Sequence, residues 1–146
     1  MKFLDRLFGT LGKQPQELTN KALHLAKQAE WDVDLSSSAA DEDARAAQLH
    51  WDAGRWQAAY DHFTLAILQR EDDAILWLNR GNLLAQMGYY REAWADFTKA
   101  RSLADLPPEL LGTARMIELL GGPESPRNAR HAARKRAELG VALSFG

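Results

Sequence analysis

Residues 77–100 read WLNRGNLLAQMGYYREAWADFTKA, two stretches of helical spacing that meet at Gly88. Trp77, Gly81, Leu84 and Gly88 recur every three or four positions in the first, and Tyr90, Ala93, Phe97 and Ala100 do so in the second. That spacing is the inward stripe of an amphipathic α-helix. The same order stands upstream at an offset of 34 (81 − 34 = 47). It pairs Gly81 with Ala47, Gly88 with Gly54, Tyr90 with Trp56, Ala93 with Ala59, Phe97 with Phe63 and Ala100 with Ala66. Matches of residue type at one offset, in one order, define an internal repeat made of two helices and a turn.

Each matched residue has a physical task. Two antiparallel helices approach closely only where one presents a small residue, so Gly81 and Ala47 are expected to admit the rings of Phe97 and Phe63. Ala93 and Ala59 are small towards their own first helix, and Ala100 and Ala66 towards the next unit. Gly88 and Gly54 end helices with positive φ, which only glycine takes without a steric cost. Tyr60 and Trp94, related by the same offset, suggest a further ring layer. With these residues in this order, the stretch resembles a tetratricopeptide repeat. Arg80 and Leu84 stand where that family has Leu and Tyr, Asp43 where it has Trp, and Asp105 at the usual proline, with Pro107 and Pro108 just after.

The fold class expected is all-α: a helical-hairpin solenoid with a right-handed superhelix and six to seven helices. Residues 1–38 form an N-terminal amphipathic segment and a flanking helix. Residues 39–140 form the repeat domain, with units at 40–73 and 74–107 and a degenerate helical hairpin at 108–140, and residues 141–146 form a tail. Helices are expected at 41–53, 56–70, 74–87, 90–104, 110–120 and 126–139, the last opened by Ser125-Pro126 and closed by Gly140. Adding the offset again reaches Gly122 but puts Glu124, Arg127 and His131 where an aromatic, Ala and Phe belong. A terminal unit with one solvated face accounts for that loss.

With Trp77, Gly81, Leu84 and Gly88 turned inward, the other side of that helix shows Ile75, Leu78, Asn79, Asn82, Ala85 and Gln86. The upstream helix shows Ala44, Arg45, Gln48, Trp51 and Asp52. In the family resembled, first helices line a concave groove that holds peptides, so resemblance implies a partner-binding groove of Arg45, Gln48, Trp51, Asp52, Leu78, Asn79, Asn82 and Gln86. Trp51 would be its aromatic anchor, and Gln48, Asn79 and Asn82 the amides that bond a peptide backbone. The alternative for Trp51 is that it packs beneath residues 15–31, whose Leu18, Ala22, Leu25, Ala26 and Ala29 make one apolar helix face. Ala44 and Gln48 replace the lysine and asparagine with which the chaperone-tail class clamps a carboxylate, so that clamp is not assigned.

Composition narrows the function. The 146 residues are 46% hydrophobic with net charge −2, enough for one core and no indication of an obligate polyanion partner. With no cysteine, thiol chemistry and cysteine metal sites are excluded. His24, His50, His62 and His131 lack the spacing that puts two imidazoles on one helix face, and His50 is expected to fill a core ring position. Asp41, Glu42 and Asp43 suit a helix start after Ser38 better than a metal or acid–base site. GTLGKQ at 9–14 lacks the glycine gap and the hydroxyl residue of a phosphate loop. No catalytic residue, metal, cofactor or small-molecule substrate is assigned, and the chain is expected not to be an enzyme.

Two surfaces supply the remaining readings. Phe3, Leu4, Leu7 and Phe8 fall on one face of a short N-terminal helix, either folded back on the body or acting as a membrane or partner anchor. The last helix carries Arg127, Arg130 and Arg134 beside Lys135 and Arg136. It lacks aromatic residues for base stacking, which argues against nucleic acid as the partner. Residues 30–52 carry seven acids against Arg45, so pairing of basic and acidic ends between copies is a route to a homo-oligomer. The expected function is a non-catalytic adaptor, scaffold or co-chaperone-like module that binds a protein or peptide. The second reading is a membrane-peripheral adaptor, and the third a nucleic-acid-associated repeat protein. No signal-peptide run or spanning segment is seen, so a cytoplasmic location with peripheral membrane contact is expected.

Overall fold

The computed structural model describes residues 39–145. The expected anchor Phe3, Leu4, Leu7 and Phe8, the helix from Pro15, and the Ser38 cap lie outside the described residues. Within them are α1 (Ala39–Asp52), α2 (Trp56–Gln69), α3 (Ala74–Gln86), α4 (Tyr90–Leu103), a 3-10 turn (Pro108–Leu111), α5 (Gly112–Leu119) and α6 (Pro126–Leu139). The fold is all-α. Helices α1 and α2 form one antiparallel hairpin, α3 and α4 a second with α2 against α3, and α5 and α6 each rest on α4.

The core is built as the repeat demands. Ala47, Ala59, Phe63, Ala66, Gly81, Ala93, Phe97 and Ala100 are all buried, Tyr90 nearly so, and Trp56 and Trp77 are half-buried at the edges. A β-carbon on Gly81 would stand 2.7 Å from Phe97 Cε1 and 2.9 Å from Cδ1. The two helices therefore touch through the absence of a side chain. Both turns close alike: Gly54 has φ 75° and Gly88 φ 87°, and the following amides, Arg55 and Tyr89, donate to the carbonyls of His50 and Leu84. This satisfies carbonyls that would otherwise be unpaired at the helix ends.

The third hairpin departs from the register of the first two. Its helix-ending glycine is Gly121 (φ 101°), with the Gly122 amide on the Ile117 carbonyl. The equivalent of Gly88 is therefore Gly121, one position short of the Gly122 that the offset reaches. The expected helix at 110–120 opens instead as the 3-10 turn, which covers a given length in fewer steps of the chain. In α6 the buried residues are Asn128 and Ala132, not His131. Ser125 Oγ caps α6 by accepting from the Asn128 amide, and Asn128 Nδ2 donates to the carbonyls of Ile117 and Gly122 at 2.9 and 2.7 Å. One amide side chain thus ties α6 to the end of α5. The Ala132 carbonyl lies where a β-carbon on Gly88 would be, and Arg136 donates to the Gly88 carbonyl. Gly88 is therefore both a cap and the place where α6 docks.

Candidate functional site

Helix α3 is buried on nearly every side; only Trp77, Arg80 and Gln86 escape full burial. Its neighbours account for part of this. Gly81 faces Phe97 of α4, and Arg80 reaches both α4 and α2, forming two 2.8 Å bonds to Asp96 and one of 3.1 Å to Thr64 Oγ1. At about 100° per residue, Ile75, Asn79, Asn82 and Gln86 fall on a stripe roughly 100–160° round from Gly81, away from both neighbours.

That stripe has unusual chemistry. Asn79 is 1% exposed and Asn82 7%, and neither the oxygen nor the nitrogen of either side chain has a hydrogen-bond partner. Ile75 and Leu78 beside them are buried at 1%. Its edge is set by α1: Trp51 Nε1 donates to Gln86 Oε1 at 3.0 Å. Two amides with unpartnered donors and acceptors thus sit beside buried Ile75 and Leu78, on the side of α3 turned away from Phe97 and Thr64.

Of the expected groove residues, Trp51 of α1 and Gln86 of α3 are bonded to each other, and the set divides by exposure. Gln86, Arg45 and Asp52 are exposed, while Gln48, Trp51, Leu78, Asn79 and Asn82 are buried. Trp51 is not the exposed ring that an anchor requires. It is 3% exposed and meets Phe63 edge-on, with centroids 6.1 Å apart. The reason lies in helix geometry: Trp51 follows Ala47 by one turn, so it shares the inward face. His50 corrects a second expectation. It is not a core ring but half-exposed, stacked on His62 at 5.1 Å and accepting from Arg55 at 2.8 Å. Desolvation first, then the charges of Arg55 and His62, hold its pKa below the ordinary value.

The departures from the repeat pattern are also explained. Asp43, at the Trp position of the first unit, pairs with His62 and accepts from Gln69, so polar bonds join the hairpin there. Its counterpart Trp77 donates to the Glu71 carbonyl and lies under Arg80 and Lys99. Arg80, at the Leu position, makes a two-pronged pair with the buried Asp96. Burial pushes the Asp96 carboxyl up and Arg80 pulls against it. Tyr60 and Trp94 do not stack as one layer; each lies against a cation, Arg80 and Arg101.

The basic helix divides in two. Arg127, Arg130 and Arg134 are exposed, whereas Lys135 lies over Tyr90 and Arg136 over Tyr89. Sequence reasoning missed the residues that fix the end of the chain. The Leu143 amide donates to Tyr89 Oη, Gln57 exchanges two bonds with the Ser144 backbone, and Phe145 lies edge-on to Tyr60 and Tyr89. Only the alternation of Val141, Leu143 and Phe145 hinted at it. Among the described residues no His, Asp and Glu group could hold a metal, and no helix is long and apolar enough to cross a membrane. No family model, curated protein or solved structure matches the chain.

Proposed function

We propose that this chain is a tetratricopeptide-type interaction module, an adaptor or scaffold without catalytic chemistry that receives a peptide or partner protein along the stripe between α1 and α3. The observation that carries the reading is the pair Asn79 and Asn82, buried with all four side-chain polar atoms unpartnered. Leaving a buried donor or acceptor unpaired costs about 1–3 kcal/mol. A peptide backbone supplies the alternating carbonyl and N–H groups that remove this cost, and Ile75 and Leu78 supply apolar contact.

The test is capture through the stripe. A photo-reactive residue at Gln86, introduced into the full chain in its native cell, should cross-link to a protein. Asn79→Leu with Asn82→Leu should abolish that product without lowering the melting temperature. Capture that survives the double substitution would place binding elsewhere and refute the reading.

A further inference from the structure

Beyond α6 the chain turns back onto α2 and the start of α4. Gly140, left-handed at φ 65°, ends the helix. Residues 141–145 then run without helical structure, and their side chains alternate as those of an extended segment do. Val141 and Leu143 pack against the core, whereas Ala142 and Ser144 are exposed. The groups that meet this segment address its backbone. Gln57 Oε1 accepts from the Ser144 amide at 2.7 Å, and Gln57 Nε2 donates to the Ser144 carbonyl at 2.9 Å. Asp61, one turn along α2, accepts from the same Nε2 at 2.9 Å and so orients the Gln57 amide from within its own helix. Tyr89 Oη accepts from the Leu143 amide at 2.9 Å. Phe145 stands edge-on to Tyr60 and to Tyr89, each centroid 5.3 Å away. None of these groups belongs to the α3 stripe.

The segment is lightly held. Both Gln57 bonds lie in solvent, and Phe145 is 46% exposed. On release, water replaces those bonds at little cost, and Gly140 serves as the pivot.

We propose that Gln57, Tyr60 and Tyr89 form a second peptide site, and that residues 141–145 occupy it in cis. Its partner is an extended protein segment with apolar residues at three alternate positions, the third aromatic, which enters by displacing the strap. Bonds to the backbone hold any such segment, while the Val141, Leu143 and Phe145 positions select its side chains. The proposal is independent of the stripe on α3.

The test supplies the segment in trans. In the full chain, Leu143→Asp with Phe145→Asp should free the strap, and a fluorescent peptide of residues 140–145 should then bind, read by anisotropy. The parent chain should bind it at least about tenfold more weakly, because its own segment competes at the high effective concentration of a short tether. Adding Gln57→Ala to the released chain should weaken binding at least about fivefold, since both bonds to the backbone are lost. A control peptide carrying Val141→Ser, Leu143→Ser and Phe145→Ser should not bind. The proposal is overturned if the released chain binds no better than the parent, if Gln57→Ala changes nothing, or if the control peptide binds equally. Should the released chain lose its helical circular dichroism, the peptide is titrated into the parent chain instead. Movement of the Leu143 and Ser144 amide nuclear magnetic resonance signals towards those of the free peptide supports displacement, and signals unmoved by a large excess refute it.

Discussion

Gly81→Ala is the sharpest test of how the two helices of a unit meet. In an exposed helix interior the change is favourable by about 1 kcal/mol, because glycine has the lower helix propensity. Here the new methyl would lie 2.7 and 2.9 Å from two carbons of Phe97 and 3.2 Å from Asp96 Cβ, against about 3.5–4.0 Å for carbons in contact. The ring must retreat by roughly 1 Å to restore that spacing, but Phe97 is fully buried and its neighbour Asp96 is held by two bonds to Arg80. Overpacking of this kind costs about 1–3 kcal/mol. Set against the propensity gain, the net effect should be a loss of about 0–2 kcal/mol, a fall of up to about 8 °C in Tm. Urea unfolding followed by circular dichroism reads it. Phe97→Leu removes ring atoms from the clash, so the two substitutions together should cost at least about 1 kcal/mol less than their sum. A stabilised Gly81→Ala protein, or strict additivity with Phe97→Leu, would refute the hole-and-ring account.

Trp51→Ala should lower stability by about 3–5 kcal/mol, because it empties a buried ring site and frees Gln86; a change under about 1 kcal/mol in the same unfolding assay would return Trp51 to the surface. Arg80→Leu leaves Asp96 buried without its cation and should cost about 3–5 kcal/mol near neutral pH. Its carboxyl pKa, already raised by burial, rises further in the folded variant. The folded state then binds the proton more tightly than the unfolded one, so the variant should be most stable below the unfolded carboxylate pKa and lose stability as pH rises towards the folded value. A loss equal at acid and neutral pH counts against this. Arg127→Glu, Arg130→Glu and Arg134→Glu together should leave Tm within about 2 °C, since exposed positions contribute little; if the parent chain binds RNA at low salt and the triple variant does not, the patch reading revives.

The repeat units were legible because their residues answer local rules. Gly54 and Gly88 mark helix ends through φ. Ala47 with Phe63, and Gly81 with Phe97, mark a size match between paired helices at one and the same separation (63 − 47 = 97 − 81). What was not legible depends on contacts far along the chain. Gly88 looks like a simple cap until α6, beyond the whole of α4 and α5, places the Ala132 carbonyl against it. Gln57 and Tyr89 carry no motif, yet they hold the backbone near residue 144. The register slip to Gly121 follows from a 3-10 turn, and propensity does not separate such a turn from the first turn of an α-helix.

The misreading of Trp51 has a different origin and bears on function. The 34-residue offset puts Trp51 on the side of α1 that the repeat core does not require, and the resemblance alone makes that side a groove, whereas its one-turn spacing from Ala47 turns it inward. Removing it from the groove leaves the stripe without an exposed aromatic ring and shifts the weight to Asn79 and Asn82. Their burial is poor design for a folded core, since Leu at either position would fill the space without an unpaired amide. Elsewhere in the described fold Asp96 and Asn128, also buried, are bonded: Asp96 has Arg80, and Asn128 has two carbonyls. Two neighbouring amides with all four side-chain polar atoms unpartnered, close to buried groups that are satisfied, are what supports the proposal that their bonds are completed by a bound partner.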